Sequence, residues 1–344
     1  MDAPGPVSAD TPEPRSSPPA GGGRPLVSIV IPVYNEQDTV EIFHRRLDAA
    51  LALWTSRFDF EFIFSNNHST DQTAERVARL RERDARVQLL TLSRNYGYQS
   101  SMVAGMRQAA GDAIIFIDVD CEDPPEMIPQ FLEGWLDGHD IVYGIRERRS
   151  EPFYLTWARR AFYRLNRMVA DSDILVDVAE FCLIRAEVRD AVASGMSTFP
   201  FIRAEVAHYG FSRKGIHYDR QPRVGGSSHF NFYGMTRFAI AGILTSTTAP
   251  LRLVLYGLPT LFLANLALLW LEGSGRWSMA FEVLVAMDFM YVATAIALVA
   301  LYTGRNYRNV VGRPVAVVDW RRSLLDRAPE HSPNRLPRMG TPRG

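Results

Sequence analysis

Nineteen consecutive residues, Leu253 to Leu271, carry no charge, close to the ~20 that an α-helix needs to cross the hydrocarbon of a bilayer. Pro259 and Asn265 interrupt the run, and a membrane helix tolerates both. A second run, from about Val283 to Thr303, carries only Asp288 near its start. Both runs exceed the usual length of a buried core helix, so they predict a two-helix transmembrane hairpin. The connection from Glu272 to Glu282 is short and holds one arginine, while Arg237 and Arg252 precede the first run and Arg305, Arg308 and Arg313 follow the second. The positive-inside bias then puts both large flanks in the cytoplasm, giving a multi-pass protein of the cytoplasmic (inner) membrane with both termini cytoplasmic.

The remainder has a different character. A mean hydropathy of -0.09 over 344 residues excludes a chain made mainly of spans, and 47% hydrophobic residues exclude wholesale disorder. Thirty-eight basic residues balance thirty-eight acidic ones, so no global field points to nucleic acid. Cys121 and Cys182 are the only cysteines, too few for a disulfide scaffold or a cysteine-based zinc site, and each reads as a small buried side chain. Residues 1–25 hold seven prolines and four glycines with no apolar periodicity and read as a disordered tail. Residues 231–248 read as an interfacial amphipathic helix before the hairpin at 249–304. From Arg305 to the last residue, nine arginines face three acids, which suits a basic cytoplasmic tail at 305–344 held near anionic lipid.

Between tail and hairpin, residues 26–230 alternate short apolar runs with helical periodicity. Leu26 to Val33 is rich in β-branched residues, as a buried parallel strand requires. Val40, Phe43, Leu47, Leu51 and Trp54 recur at helical spacing. Strands follow at Phe58–Ser65, Val87–Ser93 and Ala113–Asp118, with helices near Ser69–Asp84 and Gln99–Ala110. This alternation predicts an α/β fold with a parallel sheet wrapped by helices. Ligands in such sheets bind beyond the carboxyl ends of the strands, which makes those ends the place to look for chemistry.

The first strand runs into Pro32-Val-Tyr34-Asn-Glu36, where a dinucleotide-binding oxidoreductase would carry a glycine-rich turn and this chain has none. Tyr34 offers an aromatic face and Glu36 a carboxylate, groups able to flank a base and a ribose. The second strand ends in Asn66-Asn67-His68-Ser69, which reads equally as base-edge recognition or as a turn with a helix cap. The fourth strand ends in four acids within six residues, Asp118, Asp120, Glu122 and Asp123. Such crowding at the mouth of an apolar strand is costly unless a cation neutralises it. If the segment is extended, Asp118, Asp120 and Glu122 share one face. Their hard oxygens suit magnesium or manganese, ions that also take substrate phosphates.

Two basic segments follow. Seven arginines from Arg146 to Arg167, Arg160 among them, are interleaved with aromatic residues. They read either as a solvated helix face or as a surface for lipid headgroups that grips a phosphate bidentately. Arg220, Arg223, Ser228 and His229 lie around a glycine pair before the membrane, a composition suited to a phosphate-gripping loop.

Pro32-Val-Tyr-Asn-Glu36, Ser69-Thr-Asp71, Ser93-Arg-Asn-Tyr-Gly97, Asp118-x-Asp120-x-x-Asp-Pro-Pro125 and Val142-Tyr-Gly144, in this order, resemble the family-2 glycosyltransferases that charge polyprenyl phosphates. The chain is most similar to the bacterial polyprenyl-phosphate glucosyl and aminoarabinosyl branch, with dolichyl-phosphate mannose synthase more distant. The resemblance covers about Leu26 to Val318. It implies a GT-A (Rossmann-like) nucleotide-sugar-binding domain, inverting transfer from a nucleotide sugar to a polyprenyl phosphate, and a homo-oligomer. Carried onto these positions, it implies that Pro32, Tyr34, Glu36, Asn66, Asn67 and Asp118 line the nucleotide-sugar pocket. Asp118, Asp120 and Glu122 would hold Mg2+ or Mn2+, and Asp118, Asp120 and Arg146 would be catalytic. Arg146, Arg160, Arg220, Arg223, Ser228 and His229 would hold the acceptor and phosphates. UDP-glucose is the donor common in this branch. The chain departs from the family's pattern at Asn66-Asn67-His68, Glu180, Cys182 and His229. These departures keep open an impaired paralogue that binds a nucleotide sugar or lipid phosphate as a partner subunit. A third alternative is a transferase that builds a polymer or serves a different acceptor; two spans argue against a polymer-threading synthase, and a soluble acceptor leaves the anchor unexplained.

Overall fold

The computed structural model describes residues 23–146, 178–195, 202–224, 248–275 and 279–326. The expected tail, the amphipathic segment at 231–248, Arg160, Ser228 and His229 lie outside the described residues, except for residues 23–25 and Thr248 at their margins. The described chain falls into two compact units, one holding 23–146, 178–195, 202–224 and 314–326, the other holding 248–275 and 279–313.

The first unit is built on seven strands: β1 (Leu26–Val33), β2 (Asp59–Asn66), β3 (Val87–Thr91), β4 (Ala113–Phe116), β5 (Ile141–Arg146), β6 (Val178–Arg185) and β7 (Arg213–Tyr218). Their order is β3-β2-β1-β4-β6-β5-β7. The β1–β2, β1–β4, β2–β3 and β5–β7 pairs are parallel, while β6 runs antiparallel to both β4 and β5. The sheet is therefore mixed rather than wholly parallel. The first four strands are those with the β-branched and aromatic runs, and both of their faces are covered.

Alternation along each strand divides the core into two layers. Ile29, Ile31, Phe62, Phe64 and Ile115 point to one face, against α1 (Val40–Leu51), α2 (Thr73–Arg83) and α4 (Ile128–Leu136). Val30, Ile63, Ile114 and Phe116 point to the other, against α3 (Tyr98–Gln108), α5 (Ala186–Gly195) and α6 (Ile202–His208). The helices meet the sheet through the predicted periodicity, with Phe43, Leu47 and Leu51 of α1 fully buried. Pro32 stands in a central strand at a position where its missing N–H costs nothing. Even-numbered β1 residues face β4, as the Ile117 N–H donating to the Val30 carbonyl at 3.2 Å shows, but the β4 ladder ends at Phe116. Both cysteines are free and buried, as expected. Burial first, with nearby Glu180 adding to it, pushes the Cys182 thiol up to about 12.

The second unit consists of α7 (Ala249–Gly273) and α8 (Ala280–Val311), both long and apolar enough to cross a membrane. Leu255, Phe262, Phe289 and Ile296 are exposed along them. Twenty-five residues at 1.5 Å each make α7 about 37 Å long, more than a bilayer core requires. The helices contact one another through Asn265, whose Nδ2 donates to Asp288 at 2.9 Å, and through the Tyr291 hydroxyl, which donates to the Val254 carbonyl. Both polar interruptions noted in the sequence thus face a partner inside the hairpin. Gly312, in the left-handed conformation at φ 63°, ends α8.

The residues beyond α8 do not behave as a tail held only by charge. Leu324 bridges to Leu89 and Val318 to Leu92, both antiparallel, so residues 315–326 line the outer edge of β3.

Candidate active site

The carboxyl ends of β1, β2 and β4 lie at one edge of the sheet, because the three strands are parallel. The loops after β1 and β2 are laced by side-chain-to-backbone bonds. Asn35 N donates to Ser69 Oγ at 3.0 Å, Thr70 N to Asn35 Oδ1 at 2.8 Å, Glu36 N to Thr73 Oγ1 at 2.8 Å and Gln37 N to Asp71 Oδ2 at 3.2 Å. Asn35 and His68 take left-handed φ values of 54° and 61° to make these turns, a region that asparagine and histidine enter more readily than most residues. The Asn66–Asp71 run is thus a turn, as one of its two readings had it, but it does not cap the next helix, whose N-cap is Gln72 without a side-chain cap bond. Glu36 is buried and receives the Thr39 hydroxyl on Oε2 at 2.7 Å.

Asn66 is fully buried; its Oδ1 accepts from Ser69 N at 2.9 Å, and its Nδ2 has no partner. Asn67 is oriented by the loop after β3, with Nδ2 donating to Asn95 Oδ1 at 2.9 Å and Oδ1 accepting from Tyr96 N at 2.9 Å. The His68 ring meets the Leu92 carbonyl through Nδ1 at 3.2 Å.

The acid loop after β4 is a turn, not an extended segment, because Cys121 sits at φ 59°. Asp118, Asp120 and Glu122 therefore do not share one face by alternation, which holds only for extended backbone. Each acid has its own surroundings. Asp123 is buried under Arg146 (Nη2 to Oδ2, 2.7 Å) and the Tyr218 hydroxyl (to Oδ1, 2.5 Å). Glu122 pairs with Arg220. Asp120 lies 3.7 Å from Arg223, which also binds Glu36 at 2.5 Å. Among the described residues no arginine pairs with Asp118, which accepts the Tyr98 hydroxyl on Oδ1 at 2.6 Å. Burial, followed by the charges of Asp123 and Asp120, pushes its carboxyl up to about 7. Burial also raises Asp120, against the pull of Arg223. The segment after β7 holds this turn in place through Gln221 N donating to the Glu122 carbonyl at 2.9 Å and Val224 N to the Asp120 carbonyl at 3.2 Å.

Among the described residues no three His, Cys, Asp or Glu side chains converge as a complete metal cage. A magnesium-like ion does not require one, since it takes one or two carboxylates and completes its shell with phosphate and water. Asp118 and Asp120 fit that role by their chemistry: two hard carboxylates raised first by burial, the former with no cationic partner among the described residues.

The structure thus brings Pro32, Tyr34, Glu36, Asn66, Asn67, Asp118, Asp120, Glu122, Arg220 and Arg223 to the same end of the sheet or its adjoining loops. Arg146 reaches them through Asp123. Sequence reasoning did not single out Tyr98, Gln99, Asn95 or Tyr218. Gln99 Nε2 donates to Glu180 at 2.5 Å, and one Glu180 carboxylate oxygen is buried without a partner. Tyr98 stands directly after the Ser93–Gly97 motif, and that adjacency was the available signal.

The open α/β sheet thus gathers acids, arginines and polar side chains at its strand ends, the place where such sheets bind their ligands. Residues 28–192 match the family described as Glycosyl transferase family 2. Uncharacterized glycosyltransferase YkcC of Bacillus subtilis (strain 168) is 31% identical over 85% of this chain and 92% of its own length. The bactoprenol glucosyl transferase of Shigella phage SfV is 32% identical over 85% of this chain and 97% of its own. The SfII prophage-derived bactoprenol glucosyl transferase of Shigella flexneri is 30% identical over the same shares. Among solved structures, glucosyl-3-phosphoglycerate synthase from Mycobacterium tuberculosis, in complex with Mn2+, UDP and glucosyl-3-phosphoglycerate, aligns with a TM-score of 0.47 at 16% identity over 65% of this chain and 80% of that one. The chain belongs to glycosyl transferase family 2.

Proposed function

We propose that this glycosyltransferase moves a hexose, glucose from UDP-glucose, onto a polyprenyl phosphate at the cytoplasmic face of the membrane, with inversion at the anomeric carbon. The product, a polyprenyl-phosphate sugar, would serve cell-envelope glycan modification. The observation that carries the reading is the extent of the match to bactoprenol glucosyl transferases, 97% of their length, which takes in both the acid loop and the apolar hairpin. The acceptor's isoprenoid tail stays in the bilayer, which gives the hairpin a purpose that a soluble acceptor would not.

The described chain supports a same-side topology for the hairpin. The polypeptide leaves the sheet-bearing unit before α7 and rejoins it after α8, where residues 315–326 pair with β3. Two crossings return it to the side from which it started, in keeping with the arginine pattern.

In the reaction, a phosphate oxygen of the acceptor attacks the anomeric carbon, the bond from that carbon to the nucleotide diphosphate breaks, and the diphosphate departs with the electron pair. A phosphate monoester is already anionic near neutral pH, so little general-base help is required. Asp118 and Asp120 would hold a divalent cation, and that cation, when bound, offsets charge on the diphosphate. Tyr34, Glu36, Asn66 and Asn67 orient the nucleoside. Arg220 and Arg223, which in this structure lie on Glu122, Asp120 and Glu36, exchange those carboxylates for phosphate oxygens. Arg146 holds the acid loop through Asp123. Alignment and preorganised charge supply the catalysis.

Membranes containing the protein, a polyprenyl phosphate, magnesium or manganese and a panel of radiolabelled nucleotide sugars test this directly. Label passing into the organic phase, and lost in Asp120→Ala, is the expected result. Nucleotide binding without transfer from any donor would replace this reading with that of an impaired paralogue, which the Asn66-Asn67-His68 departure favours. Transfer to a soluble acceptor alone would remove the lipid from the proposal.

A further inference from the structure

The edge of the sheet beside the proposed nucleotide site is closed by chain that follows the hairpin in sequence. β3 is the last strand in its direction, and an edge strand leaves a row of backbone groups unpaired. Residues 315–326 occupy that row. Leu89 N donates to the Leu324 carbonyl at 2.9 Å and Leu324 N returns a bond to the Leu89 carbonyl at 2.7 Å. Thr91 N donates to Ser323 Oγ at 2.9 Å, and Asp319 N donates to the Thr91 carbonyl at 2.8 Å. Ser93 N donates to the Val317 carbonyl at 2.9 Å. Val315, Ala316, Val318 and Leu325 pack against the α3-side core, and Asp326 pairs with Arg81.

The Ser93 bond is the last before the loop that holds Asn67. Within that loop Asn95 Oδ1 accepts from both Asn67 Nδ2 and Gly97 N at 2.9 Å, and Tyr96 N donates to Asn67 Oδ1 at 2.9 Å. Gly97, at φ 91°, turns the chain into α3, whose first residue, Tyr98, donates to Asp118. One six-residue stretch, 93–98, therefore ties the strap at one end to the base-edge residue in its middle and the acid loop at its other end.

We propose that the strap is a positioning element of the donor site: by fixing Ser93 and the edge of β3 it holds the 93–98 loop in the conformation that orients Asn67 and Asp118. Val317, Ser323 and Leu324 act through the loop and touch no substrate. The inference rests on the reading of this crevice as a nucleotide-sugar site. It makes nucleotide binding depend on residues that follow the membrane hairpin.

Leu324→Pro removes the N–H that binds the Leu89 carbonyl, and Ser323→Ala removes the acceptor for Thr91 N, with Ser323→Thr retaining a hydroxyl. The measurements are made on the full-length protein in membranes. Hydrogen exchange at residues 93–98 is read without ligand, and KM for the nucleotide sugar is read separately from kcat. We expect faster exchange at 93–98 in Leu324→Pro and Ser323→Ala, with KM raised about tenfold and kcat within about twofold, the signature of lost binding uniform to ground and transition states. Ser323→Thr restores both readouts. Unchanged exchange at 93–98 overturns the proposal, and so does a lowered melting temperature with KM unaltered, because the strap would then only stabilise the edge. Should Leu324→Pro fail to fold, Ser323→Ala and its threonine rescue decide the matter. Failure of the nucleotide-sugar reading shows separately: wild-type protein would gain no protection at 66–71 or 93–98 from UDP and would yield no KM, while the exchange comparison between variants would still test the strap.

Discussion

The hydroxyl of Tyr98 donates to Oδ1 of Asp118 at 2.6 Å, joining the first turn of α3 to the acid that pairs with no arginine among the described residues. The phenol stays protonated, because burial and then the nearby charges of Asp118 and Glu180 hold it well above the ordinary tyrosine range. Its bond to Asp118 favours the carboxylate and opposes the burial that lifts that group to about 7. Tyr98→Phe removes this opposition. Asp118 then titrates higher, its carboxylate is scarcer at pH 7, and the acidic limb of the pH–rate profile moves to higher pH. At subsaturating magnesium, where protons compete with the cation for Asp118, transfer at pH 7 should fall about tenfold and recover in large part near pH 8.5, a response of the size usual for a lost hydrogen bond to a charged group. A profile of kcat/KM against pH checks it, and a limb that does not move would show that Asp118 does not govern turnover.

The same carboxyl sets a stability relation of opposite direction. A folded-state value near 7, above the ordinary 3.8, makes the fold bind that proton more tightly than the unfolded chain does. The contribution is fully present below pH 4 and lost as pH rises through 7. Asp118→Asn keeps an acceptor for Tyr98 and removes the charge. In chelator, the variant should melt higher than wild type at pH 8, with the difference closing as pH approaches 4, while transfer is abolished. Equal melting temperatures at pH 8 would show that the crowding of these acids carries no cost.

Much of this arrangement was legible in the chain because burial on both faces leaves uninterrupted apolar runs. Leu26–Val33, Phe58–Ser65 and Val87–Ser93 were placed within two residues of the observed β1, β2 and β3. The reversal of β6 was not legible, since Val178–Arg185 pairs at long range and a period of two carries no direction. The acid loop was found from composition, but its shape was not: nothing in Asp118–Asp123 announces that Cys121, rather than a glycine, takes the left-handed turn. The strap was missed because the arginine excess after Arg305 drew attention to charge. The short apolar run Val315-Ala-Val-Val318 after a proline was the strand-like signal inside it. Tyr218 and Asp123 are 95 residues apart in sequence, and only the fold makes them neighbours.

α3 lies close on β1 at Gly105. A Cβ there would stand 2.4 Å from Cγ1 of Val30, a fully buried residue whose branched side chain has little rotamer freedom. Gly105→Ala gains helix propensity but forces a shift of helix against strand, and overpacking of this kind costs about 1–3 kcal/mol. Since α3 begins at Tyr98, the shift should also reach the acid loop. Denaturant titration of the variant should give a lower midpoint with an unchanged slope, and an unchanged midpoint would mean that the contact relaxes freely.

Arg146 and Asp123 form the buried ion pair on which the acid loop rests, with guanidinium to carboxylate at 2.7 Å and 3.2 Å and the Tyr218 hydroxyl completing the Asp123 shell at 2.5 Å. Removing one member of such a pair leaves a desolvated charge and typically costs 3–5 kcal/mol, whereas replacing both with apolar residues of similar volume is often close to neutral. Arg146→Met should therefore destabilise the fold by about 3 kcal/mol, near the lower end of that range because the arginine retains some solvent contact. The double variant Arg146→Met/Asp123→Leu should regain most of the loss, although Tyr218 then lacks its acceptor. Unfolding of both proteins, read as a double-mutant cycle, gives the coupling directly. Transfer separates two roles for the arginine. If Arg146 works by holding the loop, the double variant regains part of the activity along with stability. If it grips a phosphate itself, stability returns and activity does not, because neither methionine nor leucine restores the cation.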